Sequence, residues 1–123
     1  MTPTSNVQLV SFRANIDATE SAPAPDRLLS GDPRQRVANY YADPTDQFFA
    51  GTWSSTRGKW RVRYTEHEFC HMVRGSVVIT ADSGERNDFS AGDTFVIPAG
   101  FSGTWEVVQD CMKLYAIFEA RSR

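Results

Sequence analysis

Apolar and charged residues alternate in a short run near the middle of the chain. Trp60, Val62 and Tyr64 are separated by Arg61 and Arg63. In an extended strand the first three side chains share one face and the two arginines share the other. We therefore predict a strand whose apolar face points to the core.

The second half of the chain contains further short runs rich in Val, Ile, Phe and Thr, separated by glycines and polar turns. These runs are residues 68–74, 76–81, 94–98, 104–108 and 111–118. Strands divided by tight turns have this pattern, and no stretch shows the 3.6-residue period of a convincing amphipathic helix. We count about eight strand-like runs in all and predict an all-β domain, a small antiparallel barrel or sandwich.

The first half of the chain has weaker signals. Residues 37–41 and 47–53 are typical of strands, the second with a bulge at Gly51, whereas residues 28–33 are typical of turns. Two prolines near position 24 suppress helix, so we predict an extended N-terminal arm over residues 1–24, followed by a barrel over residues 25–123. Within the arm, residues 7–12 are a candidate edge strand for pairing with a second copy of the chain.

Size and composition indicate one ordinary globular domain. The chain has 123 residues, 23% of them charged, and a formal net charge of -2, which supplies no basic surface for nucleic acid. No apolar run approaches the roughly 20 residues of a membrane helix, and the N-terminus lacks the pattern of a signal peptide. We therefore expect a cytoplasmic protein with neither nucleic-acid nor membrane partners.

Cys70 and Cys111 lie in apolar runs and are expected to be buried, inert thiols.

One motif suggests a metalloprotease. The stretch His67-Glu68-Phe69-Cys70-His71 matches His-Glu-x-x-His, which on a helix places two imidazoles on zinc. The strand-like neighbours and the glycine at position 75 argue against a helix. In a strand His67 and His71 share the face opposite Glu68, and two histidines do not complete a zinc site. Surface or interface packing is the expected role of both histidines.

Several stretches resemble the cupin superfamily, and more narrowly its small single-barrel family named after the cupin domain of (S)-ureidoglycine aminohydrolase. The resembling segments are residues 26–33, 39–41, 47–53, 68–75, 91–106 and 113–115. The likeness extends, from the first of these segments to the last, over residues 26–115. The resemblance implies a single cupin barrel, that is a double-stranded β-helix or jelly roll, and a homodimer. It implies little about activity, because cupins support many chemistries.

Metal-binding cupins carry two motifs, and the first of them can be aligned on its glutamate and glycine. The glutamate then falls on Glu68, whereas the two histidine positions fall on Val62 and Tyr64, or with a longer gap on Arg61 and Arg63. The manganese ligands of the aminohydrolase would also fall on Val62 and Tyr64. Valine cannot bind a metal and tyrosine does so rarely, so we do not expect the manganese or the aminohydrolase activity here.

The second cupin motif also lacks its metal ligand. Gly92, Pro98 and Gly100 match this motif, but its histidine position falls on Gly103. Of the four usual ligands only Glu68 is present, so we expect neither a metal nor another cofactor.

The inward face of the predicted barrel is the candidate ligand site. Trp53, Tyr64, Glu68 and Trp105 are the expected binding residues, with Tyr64 and Glu68 as the candidate catalytic pair. Burial would raise the pKa of Glu68 and suit it to proton transfer, unless a cation pairs with it. The alternative is a structural carboxylate bound to an arginine within residues 61–63 or to a backbone amide.

Three functions are compatible with these residues. The first is a homodimeric cupin that binds a small polar or aromatic metabolite without metal. The second is a cupin enzyme, metal-free or with atypical ligands among Glu68, His67, His71 and Cys70, that acts on a small nitrogenous or carbonyl metabolite. The third is a largely structural dimer with a vestigial pocket.

Overall fold

The computed structural model describes residues 6–121, and every regular element within them is a β-strand. In chain order these are β1 (Thr19–Ser21), β2 (Leu28–Gly31), β3 (Gln35–Ala42), β4 (Phe48–Ser55), β5 (Gly58–Arg63), β6 (His67–Ala81), β7 (Arg86–Ser90), β8 (Thr94–Ile97) and β9 (Ser102–Phe118). All of the strand pairs are antiparallel. The prediction of an all-β fold is confirmed, and no helix of the described residues could cross a membrane.

Two long strands connect the rest of the sheet. β9 has 17 residues; one of its edges pairs first with β5 and then with β4, and its other edge pairs with β6. β6 has 15 residues, and its second edge pairs with β8 and β7. β3 and β1 continue the sheet from β4, and β2 continues it from β5. Because β6 and β9 each pair with several strands in succession, the sheet curls around one interior.

The predicted runs 68–74 and 76–81 form one bent strand rather than two. The register between β6 and β9 shifts three times between Met72 and Val77, and Gly75 lies within this irregularity with a φ of 81°. Glycine accepts this left-handed conformation without steric cost. The inward side chains of β6 change from even positions, such as Met72, to odd positions, such as Val77 and Ile79. The bulge thereby keeps apolar side chains inside along the whole strand.

The core is built from inward residues of the central strands. Trp60 of β5 lies directly opposite Trp105 of β9, and Ile79 of β6 lies opposite Trp105 on its other side. The buried cluster consists of Trp60, Met72, Val77, Ile79, Ile97, Trp105, Val107 and Cys111. Val62 and Tyr64 pack against it, whereas Arg61 and Arg63 are exposed. The predicted inward face of β5 is therefore confirmed.

One prediction for the first third of the chain is wrong. Residues 28–31 form an edge strand, β2, where turns were expected, because their backbone pairs with β5. Residues 7–12 form no strand within the described chain, in which the strand of the arm is β1, paired with β3; the pairing of residues 7–12 with a second copy stays a prediction. Instead, Phe12 stacks on Tyr40 with ring centroids 4.6 Å apart. The first five residues of the predicted arm lie outside the described residues.

The strands predicted at residues 37–41 and 47–53 are confirmed as parts of β3 and β4. The bulge expected at Gly51 lies on the partner strand. The register shifts between Asn39 and Tyr41 of β3, while Gly51 and its neighbour Ala50 stay in regular register with β9. Gly51 instead allows a close approach, because a Cβ atom there would lie 2.7 Å from the Tyr115 hydroxyl.

Candidate functional site

A small cavity opens on the inner face of the barrel beside the core. Its volume is about 220 Å³, and its apolar wall consists of Trp53, Trp60, Val62, Trp105 and Ile117. The chain has three tryptophans, so all of them line this cavity. The ring centroids of Trp53 and Trp105 are 5.5 Å apart in an edge-on arrangement, and those of Trp60 and Trp105 are 6.4 Å apart and nearly parallel. Cross-strand pairing of β5 with β9 places the latter two rings together.

A buried ion pair lies at the inner end of the cavity. Lys113 Nζ is 2.7 Å from Glu68 Oε2, and the two side chains are only 5% and 6% exposed. Lys113 stands opposite Met72 across the β9 and β6 pairing, two positions from the pair formed by Cys70 and Tyr115. Alternation along both strands therefore turns Lys113, Glu68 and Cys70 to the same interior side.

Lys113 is surrounded on several sides. Its Nζ lies 4.8 Å from the ring centroid of Trp53 and 4.5 Å from that of Trp105, and it donates to Cys70 Sγ at 3.6 Å. Two indole faces, a carboxylate and a thiol thus enclose the ammonium group. Cation–π attraction and the paired carboxylate together replace the water that Lys113 loses on burial.

The electrostatics keep protons on the lysine, the tyrosine and the thiol. Burial alone lowers the pKa of Lys113, but Glu68 and Cys70 outweigh it, and the pKa is raised. Burial, the negative charge of Glu68 and interaction of the phenol hydroxyl with that carboxylate hold the pKa of Tyr64 well above its usual value. Burial also raises the pKa of Cys70 to about 12. Lys113 is therefore a cation rather than an amine nucleophile, and Cys70 is a thiol rather than a thiolate.

Three further polar groups line the cavity or lie at its wall. Gln35 as a whole residue is 9% exposed, and its side-chain amide, which keeps some access to solvent, makes no hydrogen bond to any described residue. Glu66 is half-buried and forms no salt bridge within residues 6–121. The buried Nε1–H of Trp105 likewise has no acceptor among the described residues. Packing rather than hydrogen bonding therefore holds the Trp105 indole.

The structure brings the predicted site residues together. Trp53, Tyr64, Glu68 and Trp105 all line the same cavity. The expected cation beside Glu68 is Lys113, not an arginine within residues 61–63, because both of those arginines point outward.

The two histidines lie on the outer face of β6, as the alternation indicated. His67 Nδ1 accepts a hydrogen bond from the Ala99 amide at 3.1 Å, and His71 Nδ1 lies 3.1 Å from Thr94 Oγ1. Cys70 is fully buried on the inner face. The atypical ligand set suggested by the sequence is thus divided between the two faces of one strand.

Sequence reasoning missed Lys113, Gln35 and Glu66 as cavity residues. Lys113 had a detectable signal, since it alternates with Cys111 and Tyr115 at inward positions of an otherwise apolar strand. A charged residue at such a position predicts a buried partner of opposite charge. Gln35 and Glu66 had no comparable signal, because each is placed by the curl of the sheet.

The residues at the cupin metal positions do not fit a metal centre. Val62 and Gly103 are directly opposed on β5 and β9, so the motif positions do converge, but neither side chain offers a donor atom. Glu68 is paired with Lys113, and the Tyr64 phenol stays protonated. Within residues 6–121 no group of three or more His, Cys, Asp or Glu side chains is arranged to hold a metal ion.

A larger groove of about 650 Å³ runs along β1, β3 and the bend of β6, and it shares Gln35 with the smaller cavity. Its arginines include Arg34, which is paired with Asp32 at 3.2 Å, and Arg36, whose nearest carboxylate is Glu20 at 3.9 Å. These side chains are mostly exposed, and arginines and acids are equal in number along the groove. The smaller cavity is the stronger candidate site, because its charged pair is buried and its walls are aromatic.

The curled antiparallel sheet with an inward-facing cavity defines a cupin barrel. Residues 42–115 match the EutQ-like cupin domain family, and the chain belongs to this family. No curated protein sequence matches the chain.

Solved structures support the same fold. A protein of unknown function in the DUF861 family, from Pseudomonas syringae pv. tomato, is similar with a TM-score of 0.77 and 25% identity over 88% of this chain. The match covers 46% of the Pseudomonas protein, so the present chain spans less than half the length of that relative. The EutQ protein of Clostridium difficile is similar with a TM-score of 0.65 and 13% identity, over 86% of this chain and 90% of that one. A putative ethanolamine utilization protein Q from Salmonella typhimurium is similar with a TM-score of 0.66 and 13% identity, over 88% and 100% of the two chains.

Replacing Lys113 by methionine should destabilise the protein strongly. The variant leaves Glu68 in the interior without its cation, and breaking a buried pair from one side commonly costs about 3–5 kcal/mol. The double replacement Glu68→Met with Lys113→Met should recover most of that loss, because neither charge is then buried. Urea unfolding followed by circular dichroism measures both free energies of unfolding. A loss below about 1 kcal/mol for Lys113→Met would contradict the buried pair, since exposed ion pairs contribute only that much.

Proposed function

We propose that this protein binds a small molecule in the cavity beside the Glu68–Lys113 pair, and that this cupin has no metal centre. The observation that supports the proposal is a buried ion pair at the inner end of an aromatic cavity. A buried pair is often no more stabilising than apolar side chains of the same size. Its presence in a small core is better explained by ligand binding than by stability.

The composition of the cavity supports the same conclusion. Small-molecule sites are concave and mostly apolar, with a few polar groups that orient the ligand. Here indoles form the wall, while Gln35, Tyr64, Glu66 and Glu68 supply the polar groups. The volume of about 220 Å³ lies below the roughly 300–1,000 Å³ of drug-sized sites, so the ligand is a small metabolite.

The alternative function is a metal-free cupin enzyme acting on a small nitrogenous or carbonyl metabolite. The position of the Tyr64 phenol and the Glu68 carboxylate at one cavity supports it, because a donor and an acceptor there can orient a substrate and relay a proton. Lys113 is disfavoured as a Schiff-base nucleophile, since its pKa is raised. If turnover of any compound is detected, Glu68→Gln should reduce kcat by at least about a hundredfold, the lower end for general acid–base catalysis. Unchanged kcat in that variant would exclude Glu68 from proton transfer.

Kinship with the (S)-ureidoglycine aminohydrolase cupin domain remains a proposal that rests on residues 68–75 and 91–106. It does not extend to manganese, because Val62 and Tyr64 stand at the ligand positions. The cytoplasmic location inferred from the sequence likewise remains a prediction.

A homodimer is proposed from the outer face of the sheet. Phe69 and Val96 are direct neighbours across β6 and β8, and they are 46% and 58% exposed. Phe48 and Phe118 are neighbours across β4 and β9, and they are 41% and 46% exposed. These four residues form an uncharged apolar patch, and such patches mark association sites. A second copy offers the same patch, so a two-fold interface would cover both.

The ligand site can be tested with the tryptophan residues, since all three line the cavity. A screen of small polar and aromatic metabolites by tryptophan fluorescence should yield at least one saturable change. Val62→Phe should abolish that change, because the larger side chain fills the cavity. Val108→Phe is the matched control, since Val108 is 45% exposed and does not line this cavity. A vestigial pocket would give no saturable signal, and binding that survives Val62→Phe would place the ligand elsewhere.

The proposed dimer predicts a mass of twice the monomer by light scattering at micromolar concentration. Phe69→Lys should shift the protein to monomer, because it introduces a charge into the apolar patch. Val108→Lys is the control, since this apolar residue is 45% exposed and lies outside the patch. A monomer mass for the unmodified chain would overturn the proposal.

A further inference from the structure

We propose that the ligand of this cavity is a small nitrogenous cation, an amine or guanidinium, held by Glu66, Gln35 and the Trp60 indole. The inference deepens the proposed function and depends on it, because it assigns a chemical class to the molecule that binds there.

The first argument is the charge of the cavity. Among the described residues that line it, only Glu66, Glu68 and Lys113 are charged. Lys113 already contacts Glu68, the Cys70 sulfur and two indole faces, and its side chain is 5% exposed. It therefore neutralises Glu68 and leaves no free cation for an anionic ligand. Glu66 remains as a carboxylate with no ion pair to a described residue, and a bound cation would balance it.

The surroundings of Glu66 strengthen this argument. Burial and the nearby carboxylates of Glu119 and Glu68 raise the pKa of Glu66. In the free protein the ionised form of Glu66 is thus destabilised relative to a carboxylate in water. A ligand cation beside the carboxylate relieves that cost, whereas a ligand anion increases it.

The second argument is hydrogen bonding. Gln35 as a whole residue is 9% exposed, and its side-chain amide lines the cavity without a hydrogen bond to a described residue, so it is open to a ligand. Its carbonyl oxygen and the Glu66 carboxylate are both acceptors. These acceptors can take the N–H groups of a ligand, while the Gln35 NH2 group and the Trp105 Nε1–H are donors without a described acceptor. Hydrogen bonding therefore accommodates an N–H ligand, and the unpaired charge of Glu66 decides that the ligand is a cation.

The third argument is the aromatic wall. Lys113 covers Trp53 and Trp105, but no cation of residues 6–121 lies over the Trp60 ring. The Trp60 centroid is 6.1 Å from that of Trp53, and both rings line the cavity. A ligand cation near Glu66 can therefore use the Trp60 ring without displacing Lys113.

The test is a titration of the ¹⁵N-labelled full chain, followed by the three indole N–H signals in the NMR spectrum. The probes are methylguanidinium chloride, ethylammonium chloride, tetramethylammonium chloride, acetamide and sodium acetate, all at one ionic strength. Methylguanidinium and ethylammonium should give saturable shifts in the millimolar range. Tetramethylammonium should bind more weakly because it has no N–H donor, and acetate should not bind.

Two variants and one control test which residues bind the probes. Glu66→Gln removes the unpaired carboxylate from a half-buried position and should weaken methylguanidinium binding at least tenfold. Gln35→Leu removes the unpartnered amide and should weaken both N–H probes. Glu85→Gln makes the same charge change in an exposed turn remote from the cavity and should leave binding unchanged.

The outcomes separate this inference from the proposed function. Tighter binding of acetamide or acetate than of the cations, abolished by Val62→Phe, would overturn the cation assignment and leave the cavity a ligand site. Cation binding that is unaffected by both Glu66→Gln and Gln35→Leu would overturn the assignment of those groups. No saturable shift with any probe would overturn the inference, while the wider metabolite screen would still decide the proposed function.

Discussion

The buried contact between Lys113 and Glu68 constrains the rest of this interior. A lysine with 4% exposure is tolerable only where a carboxylate and other favourable groups replace its water. The indoles of Trp53 and Trp105 and the Cys70 thiol supply the rest of that environment. Because these groups come from three strands, the ion pair requires the correct register of β4, β6 and β9 at once.

The two long strands provide that register. β9 lies between β6 on one edge and β4 and β5 on the other, so its inward residues meet those of three further strands that line the cavity. The irregularity around Gly75 lets β6 bend without turning its apolar side chains to solvent. The bent strand β6 and its partner β9 thus bring the core cluster and the Glu68–Lys113 pair together in a single curled sheet.

The cavity preserves the placement of a cupin centre but not its chemistry. Val62, Gly103 and Glu68 stand at positions where related barrels carry metal ligands, and only the glutamate has a donor atom. Here the glutamate faces an ammonium group instead. The barrel thus places a carboxylate, a phenol and an amide at its cavity, and the proposed function depends on the small molecule that these groups would hold.

The sequence by itself determined the all-β architecture and the inward face of β5, because strand alternation is a local property that survives folding. Alternation together with the cupin resemblance predicted that Trp53, Tyr64, Glu68 and Trp105 face one cavity, as they do. It did not predict the strand at residues 28–31, whose exposed residues have no apolar alternation and pair only because β5 is adjacent. Tertiary structure alone decided that Lys113 is the partner of Glu68, since the two residues are 45 positions apart and only the pairing of β6 with β9 joins them. It also decided that Gln35 and Glu66 border the same cavity, because the curl of a sheet depends on contacts that no local pattern records.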